Sequence, residues 1–125
     1  MEGRSKIHSF KDLEAWKQGH FLVLSIYRIT KKYPSNEQFG ITNQMRRAAV
    51  SVTSNIAEGF SRVSSKEKAQ FYAIAKGSLT EIESQVLISR DLGYISSVDF
   101  EQIEEEIEQA SRLITGLLKY IRANS

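Results

Sequence analysis

Two glutamates, Glu58 and Glu81, are the side chains of this 125-residue sequence that could act together as an acid–base pair. Such a pair transfers protons when both carboxyl groups face the same reacting atom. The structural alternative is that each carboxylate lies at a helix contact, where it pairs with a cation or accepts hydrogen bonds. We favour the structural interpretation, and the sequence therefore predicts a protein that is not an enzyme.

Metal-binding and cofactor-binding motifs are missing from the sequence. It contains no cysteine, which excludes a thiol nucleophile, a disulfide and a thiolate metal site. Neither His8 nor His20 follows a glutamate by three residues, as the Glu-x-x-His motif of di-iron bundles requires. We expect His20 to be a packed, hydrogen-bonded histidine. No glycine-rich phosphate loop precedes a helix, so we predict neither a metal nor a cofactor.

Polar side chains recur at steps of three and four residues along the segment 41–58. They are Gln44, Arg47, Ser51, Asn55 and Glu58. The segment 65–91 carries a matching row, which consists of Ser78, Glu81 and Gln85. Because both rows flank apolar stripes, we predict a hydrogen-bonded network that fixes the register of two packed helices. Its predicted members are Gln44, Arg47, Asn55, Glu58, Glu81 and Gln85.

The two adjacent arginines of this segment have a second interpretation, in which they reach solvent and bind phosphate. In a helical projection Arg47 lies on the polar edge, which favours a structural role. Arg46 lies on the far side of the same helix, where both interpretations stay open.

Charge is spread unevenly along the chain, although the net charge is only +2. Residues 1–62 hold ten Lys or Arg and five Asp or Glu, whereas residues 63–125 hold seven and ten. A basic side of this kind suits a polyanion, although two ordinary solvated faces would give the same pattern. The basic residues that we predict to contact nucleic acid are Arg28, Lys31, Lys32, Arg46, Arg47, Arg62, Lys66 and Lys68.

Four helices are needed to position these side chains. Apolar residues recur at steps of three and four in four segments, at about 12–32, 41–58, 65–91 and 98–122, and no segment alternates with a period of two. Short loops between long helices are typical of an antiparallel up-and-down four-helix bundle. We therefore predict an all-α protein in which residues 1–125 form a single domain.

The second segment is an unusual helix, because positions 50–55 read VSVTSN and are all poor helix formers. We expect packing on two sides to stabilise it, since tertiary contacts override intrinsic preference. Gly59 is predicted to follow the end of this helix, at a position that often has positive φ. Ser64 is predicted to cap the next helix, because Glu67 follows it at capping-box spacing.

Neither a membrane segment nor a secretory signal is recognisable. No stretch approaches the roughly 20 apolar residues that a membrane span needs, and the first ten residues, MEGRSKIHSF, are charged and lack an apolar core. We expect a cytoplasmic protein that does not bind membranes.

Three stretches resemble a bacterial family of four-helix-bundle proteins. They are FKDLEAW (Phe10–Trp16), YPSNEQFGITNQMRRAAVSVTSNIAEGFSR (Tyr33–Arg62) and AKGSLTEIESQ (Ala75–Gln85). The family takes its name from proteins encoded within intervening sequences of large-subunit ribosomal RNA genes, and it is also described as ribosomal-protein-like. The resemblance extends from about Phe10 to Ile121.

The resemblance implies an up-and-down bundle that assembles as a homopentamer and has no known catalytic activity. A related branch contains the accessory variability determinants of diversity-generating retroelements. Those proteins are basic pentameric barrels that bind nucleic acid and a reverse transcriptase.

The sequence and the resemblance together favour a non-enzymatic, oligomeric helical bundle that binds structured RNA or another nucleic acid. The alternative is an oligomeric scaffold that binds another protein and no nucleic acid. An enzyme with Glu58 and Glu81 as its carboxylates is the third and weakest hypothesis.

Overall fold

Four long α-helices make up the chain, in a computed structural model that describes residues 6–125. They are α1 (Glu14–Thr30), α2 (Ile41–Ser61), α3 (Ser65–Asp91) and α4 (Ser97–Ala123), with short 3-10 helices at Phe10–Asp12 and Ser35–Glu37. No β-strand occurs between residues 6 and 125. The proposed domain also includes residues 1–5, which lie outside the described range.

The helices form a ring in which each contacts the helix before it and the helix after it. α1 packs on α2 and α4, and α3 packs on α2 and α4. The connections are short, so consecutive helices run antiparallel. The predicted fold class, an all-α antiparallel up-and-down four-helix bundle, is confirmed.

The core contains the apolar side chains that the helical period predicts. Leu22 and Ile26 of α1 have no exposed surface, and the same is true of Ile82 of α3 and Ile103 of α4. A side chain of this size contributes about 1.5–3 kcal/mol to folding when it is fully buried. Burial of one apolar stripe per helix is therefore the main term that holds the ring together.

Helix α2 forms in spite of its poor helix formers because it is packed closely between α1 and α3. A Cβ atom added to Gly19 of α1 would lie 3.2 Å from Cγ2 of Thr53 and 3.3 Å from Cγ1 of Val52. Both distances are shorter than most contacts of a real Cβ atom, so glycine eases the close approach of α1. The β-branched residues of α2 therefore gain in packing what they lose in helix propensity.

The prediction that α2 ends before Gly59 is wrong, because the helix continues to Ser61. Gly59 is buried, and a Cβ atom at this position would lie 2.8 Å from Cε1 and 2.9 Å from Cδ1 of Tyr72. Its role is close packing against an aromatic ring, and it needs no positive φ. The predicted cap of α3 by Ser64 is confirmed, since the Ser64 hydroxyl accepts a hydrogen bond from the backbone N–H of Glu67 at 3.1 Å.

The expectation that His20 is packed and hydrogen-bonded is wrong. His20 is exposed on α1, and its ring stacks on Trp16 with centroids 4.8 Å apart and an interplanar angle of 9°. No side-chain hydrogen bond of His20 is found within residues 6–125. The histidine instead covers one face of the indole, whose edge also meets Phe10.

Replacement of Gly59 by Ala should lower the free energy of unfolding by about 1–3 kcal/mol, because the added methyl group overpacks the contact with Tyr72. Urea unfolding followed by circular dichroism measures the change. Gly77→Ala is the matched control, since a Cβ atom at this exposed position of α3 meets nothing within 4 Å. It should raise stability by about 0.5–1 kcal/mol, as Gly-to-Ala changes do inside helices. Equal midpoints for the two variants would contradict this account of Gly59.

Candidate functional site

The eight basic residues that the sequence singled out lie in two groups at opposite ends of the bundle. The first group belongs to the end of α1 and the start of α2, and consists of Arg28, Lys31, Lys32, Arg46 and Arg47. The second lies where α2 leads into α3, and consists of Arg62, Lys66 and Lys68. Because the 21 residues of α2 span about 30 Å, no single patch on one chain contains both groups.

Asp99 at the start of α4 holds two cations of the first group. Its carboxylate oxygens lie 3.4 Å from Nη1 of Arg28 and 3.5 Å from Nζ of Lys32. Burial by itself raises the pKa of Asp99, but the hydrogen bond from Arg28 and the charges of Lys32 and Arg28 outweigh it and leave this pKa below its ordinary value. The positive charges of Arg28 and Lys32 are therefore partly neutralised by Asp99.

Two residues of the second group make hydrogen bonds within the chain. Arg62 donates to Glu58 Oε2 at 2.7 Å and lies over the ring of Phe71, 4.7 Å from its centroid. Lys68 donates to the backbone carbonyl of Phe60 at 2.7 Å. Lys66 is exposed and makes no hydrogen bond or ion pair with the other residues that the structure describes.

The other two arginines of the first group, Arg46 and Arg47, line a groove between α1 and α2. It has a volume of about 480 Å³ and is lined by Tyr27, Asn43, Arg46, Arg47, Val50 and Ser51. Asn43, Arg46, Arg47 and Val50 fall on one face of α2, because they are spaced by three and four residues. The helical period of α2 thus places an amide and two guanidinium groups side by side.

Arg46 is held in a fixed orientation in this groove. Its guanidinium carbon lies 4.6 Å from the centroid of the Tyr27 ring. Its Nε donates to Oγ1 of Thr30 at 2.9 Å, and that hydroxyl donates in turn to the carbonyl of Ile26 at 2.7 Å. The two terminal nitrogens make no hydrogen bond with any other residue between 6 and 125. A guanidinium ordered in this way loses little entropy when it binds a phosphate or a carboxylate.

Arg47 is exposed, and within the described part of the chain it makes neither a hydrogen bond nor an ion pair. The groove therefore carries one guanidinium with a fixed plane and one that is free to move. Two cations beside a cavity suit a phosphate group, which accepts bidentate hydrogen bonds from arginine.

The polar contact between α2 and α3 differs from the predicted network. Two serines form it, with Oγ of Ser51 and Oγ of Ser78 separated by 2.8 Å. Asn55 supports the pair by donating to the carbonyl and to Oγ of Ser51, at 2.8 Å and 3.0 Å. The buried Gln85 of α3 donates instead to Glu81 on its own helix.

The other predicted members of the network are not joined across the two helices. Glu58 pairs with Arg62, the residue that follows α2, and Glu81 accepts from Gln85 on its own helix at 3.3 Å. Gln44 is exposed, as is Arg47, and no hydrogen bond of either side chain is found within residues 6–125. The prediction that α2 and α3 are linked through Arg47, Asn55, Glu58, Glu81 and Gln85 is therefore replaced by the Ser51–Ser78 contact.

The third hypothesis, an acid–base pair, has no support in this geometry. Glu58 and Glu81 are both exposed, and each is bound to a residue four positions further along the chain. Among residues 6–125, no group of three or more His, Asp or Glu side chains is close enough to hold a metal ion. In the same range, no helix is long and apolar enough to cross a membrane.

A second, larger groove lies between α3 and α4, on the side of the ring away from α1 and α2. It has a volume of about 680 Å³, and its walls carry five glutamates, Glu83, Glu101, Glu104, Glu105 and Glu108. Glu83 belongs to α3 and the other four belong to α4, so the packing of the two helices brings them together. The acidic groove and the arginine groove are separated by the core, so opposite charges lie on opposite sides of the bundle.

Sequence reasoning did not assign Tyr27 and Asn43 to the candidate site. Tyr27 belongs to an apolar stripe of α1, yet 39% of it is exposed. A tyrosine on an apolar stripe is ordinarily assigned to the core, and its contact with Arg46 exists only because α1 and α2 are neighbours. Asn43 carried a usable signal, since it lies three and four residues before the two arginines.

Comparisons with known proteins agree with this fold. The profile of a family described as "23S rRNA-intervening sequence protein" matches residues 11–116. Among solved structures, the chain is similar to a protein of unknown function from the S23 ribosomal protein family of Bacteroides thetaiotaomicron VPI-5482. The two share 21% identity and a TM-score of 0.77, over 84% of this chain and 98% of the other. No match was found among curated proteins.

Replacement of Asp99 by Asn should lower the free energy of unfolding at pH 7 by about 1 kcal/mol, because it removes two ion pairs and a negative charge from the first turn of α4. Since folding lowers the pKa of Asp99, this stabilisation is complete above the ordinary value of 3.8 and disappears as the pH falls through the lower folded-state value. Thermal unfolding of both proteins between pH 7 and pH 2 measures the effect.

The control is Asp91→Asn, which removes an exposed carboxylate whose one ion pair within residues 6–125 is with the adjacent Arg90. The free energy of unfolding of this variant should differ little from that of the unmodified protein at every pH. A difference for Asp99→Asn that persisted unchanged at pH 2 would show that the ion pairs are not its cause.

Proposed function

The chain belongs to the 23S rRNA-intervening sequence protein family, and from that premise we propose that it is a non-enzymatic, oligomeric helical bundle that binds structured RNA. The observation that carries the proposal is the α1/α2 groove, where Arg46 is pre-oriented and Arg47 is unpaired. Phosphate groups supply most of the affinity of a protein for nucleic acid. The arginines of the groove, with Lys31 at the same end of the bundle, are the cations best able to meet them.

The uneven charge of the bundle supports an RNA partner over a neutral one. The arginine groove and the acidic α3/α4 groove lie on opposite sides, so the glutamates do not neutralise the basic side. A polyanion would be attracted to one side of the bundle and repelled from the other. One face of each subunit would therefore be oriented towards the RNA.

The second part of the proposal is a homo-oligomer, for which we take the pentamer that the family resemblance implies. It is supported by the outer face of α1, where Phe21 is 52% exposed and Leu24 is 55% exposed. Large apolar side chains three residues apart on a helix form a continuous surface that association can cover. A neighbouring subunit would also bring basic residues from the two ends of the bundle closer together. We place the protein in the cytoplasm.

Sedimentation equilibrium tests the oligomer. The unmodified protein should have the mass of five 14.2 kDa chains, and Leu24→Glu should shift the population towards single chains, because a charge would then be buried in an apolar contact. Ile74→Glu is the matched control, since Ile74 is 51% exposed on α3 and lies away from the α1 face. An unmodified protein that sediments as a single chain would refute this part of the proposal.

RNA binding is tested by affinity measurements over a range of salt concentrations. The logarithm of the association constant for a structured RNA should fall linearly with the logarithm of the salt concentration. Arg47→Gln should weaken binding and reduce the magnitude of that slope by about 0.7–0.9, which corresponds to one phosphate contact. Arg47 is exposed and unpaired, so the substitution should leave the thermal midpoint unchanged.

The control for charge is Arg112→Gln, which removes an exposed arginine of α4 that pairs with Glu108. It should not alter the slope, although it changes the net charge of the chain by the same amount. Absence of salt-sensitive RNA binding at low ionic strength would refute the RNA proposal.

The alternative is a scaffold that binds another protein through the same exposed apolar face. Phe21 and Leu24 favour it, because large exposed side chains on one helix face are common at protein interfaces. A defined partner that stays bound after nuclease treatment, and is lost in Leu24→Glu, would favour the scaffold over the RNA-binding protein.

A further inference from the structure

We propose that the α1/α2 groove holds a single unpaired nucleotide of the bound RNA, with its base stacked on the guanidinium of Arg46 and its phosphate on Arg47. This inference rests on the proposed function and makes it more specific. It names a bulge or loop of the RNA, where bases are free to leave the stack, as the element that is recognised.

Arg46 differs from the other arginines that lie over aromatic rings in residues 6–125. Arg62 lies over Phe71 but pairs with Glu58, and Arg90 lies over Phe100 but pairs with Asp91. In those two cases a carboxylate within the chain already uses the positive charge. Arg46 has a ring below it and a hydroxyl at Nε, and it has no carboxylate partner. The side chain of Arg46 is therefore held in place, and its positive charge remains available to a ligand.

The geometry of Arg46 suits stacking better than simple charge attraction. The guanidinium carbon lies 4.6 Å from the centroid of the Tyr27 ring, and the hydrogen bond from Nε to Thr30 restrains the group. Arg46 also lines the groove, where its guanidinium can meet a ligand. Bases that are splayed out of an RNA helix stack on planar arginine side chains as well as on aromatic rings. A base in this groove would stack on the guanidinium of Arg46, which Tyr27 and Thr30 hold in place.

The neighbours of Arg46 can bind the phosphate and the edge of the base of a nucleotide. Arg47 is the next residue, and its unpaired guanidinium can take the phosphate in a bidentate manner. Asn43 lies one turn earlier on the same face of α2 and is exposed. Its amide has both donors and an acceptor, and can hydrogen-bond to the edge of a base. The exposed Val50 provides an apolar wall.

The size of the groove is sufficient for one unpaired nucleotide. A volume of about 480 Å³ is within the range of small-molecule sites, about 300–1,000 Å³. A base within a duplex keeps its stacking neighbours on both sides and cannot enter such a groove. A paired helix could contact Arg47 with its phosphates, but it would leave Arg46 unused.

Two RNA hairpins that differ only by one bulged nucleotide test the inference by fluorescence anisotropy. The protein should bind the bulged hairpin about 5- to 100-fold more tightly, which is the range for stacking of one base. Removal of the base from the bulged nucleotide, with its phosphate left in place, should abolish the preference. This measurement uses the unmodified protein and does not depend on how a variant folds.

Arg46→Lys separates stacking from charge. The variant keeps a positive charge but loses the planar group, so it should lose the preference for the bulge and keep the salt dependence. Arg47→Gln should lower the slope equally for both hairpins. Arg90→Lys is the matched control, because it makes the same change at a ring-stacked arginine whose charge is paired within the chain. It should behave like the unmodified protein with both RNAs.

The possible failures are distinct. Equal affinity for the bulged, unbulged and abasic hairpins would overturn the nucleotide site and leave the proposed RNA binding intact. Failure to bind any of the hairpins at low ionic strength would overturn both. A preference for the bulge that Arg46→Lys retains would show that the base is recognised elsewhere.

Discussion

The close approach of α2 to its two neighbours is the constraint on which the rest of the structure depends. Gly19 of α1 lies against Val52 and Thr53, and Gly59 of α2 lies against the ring of Tyr72 on α3. These contacts make a helix out of a segment with poor intrinsic propensity. They also set the rotation of α2 about its axis. Residues on its outer face are therefore directed away from the core, into the groove beside α1.

The same packing decides which charges remain available. Where α2 meets α3, Oγ of Ser51 and Oγ of Ser78 form a hydrogen bond between the helices, whereas the buried Gln85 bonds to Glu81 on its own helix. At the ends of the bundle, Asp99 and Glu58 pair with nearby cations. The outer face of α2 has no carboxylate of this kind. This is why Arg46 and Arg47 remain the cations best placed to meet a ligand.

Membership of the family establishes the ancestry and the fold of the chain, but no reaction follows from it. A four-helix bundle supports many unrelated functions, so an argument about function has to start from a site. Here the site is a groove of modest size with one pre-oriented arginine and one free arginine. The groove presents two guanidinium groups and an amide, which are groups that bind phosphates and the edges of bases.

Local patterns in the sequence were sufficient for the elements of the fold. The period of the apolar residues predicts four helices and most of the core, and Ser64 with Glu67 predicts the cap of α3, because these depend on residues within one turn of each other. The ion pair of Glu58 with Arg62 has the same local character, although the sequence analysis assigned Glu58 elsewhere. Membership of the bacterial family was also readable from local motifs.

Only the tertiary structure could decide which polar groups meet. The ion pair between Arg28 and Asp99 joins residues 71 positions apart, and the contact of Arg46 with Tyr27 depends on how α1 and α2 lie together. A helical projection places a side chain on a face, but it does not give the distance to the next helix. That distance is set by the glycines at the contacts, and here it replaced the predicted network of long side chains with a pair of serines.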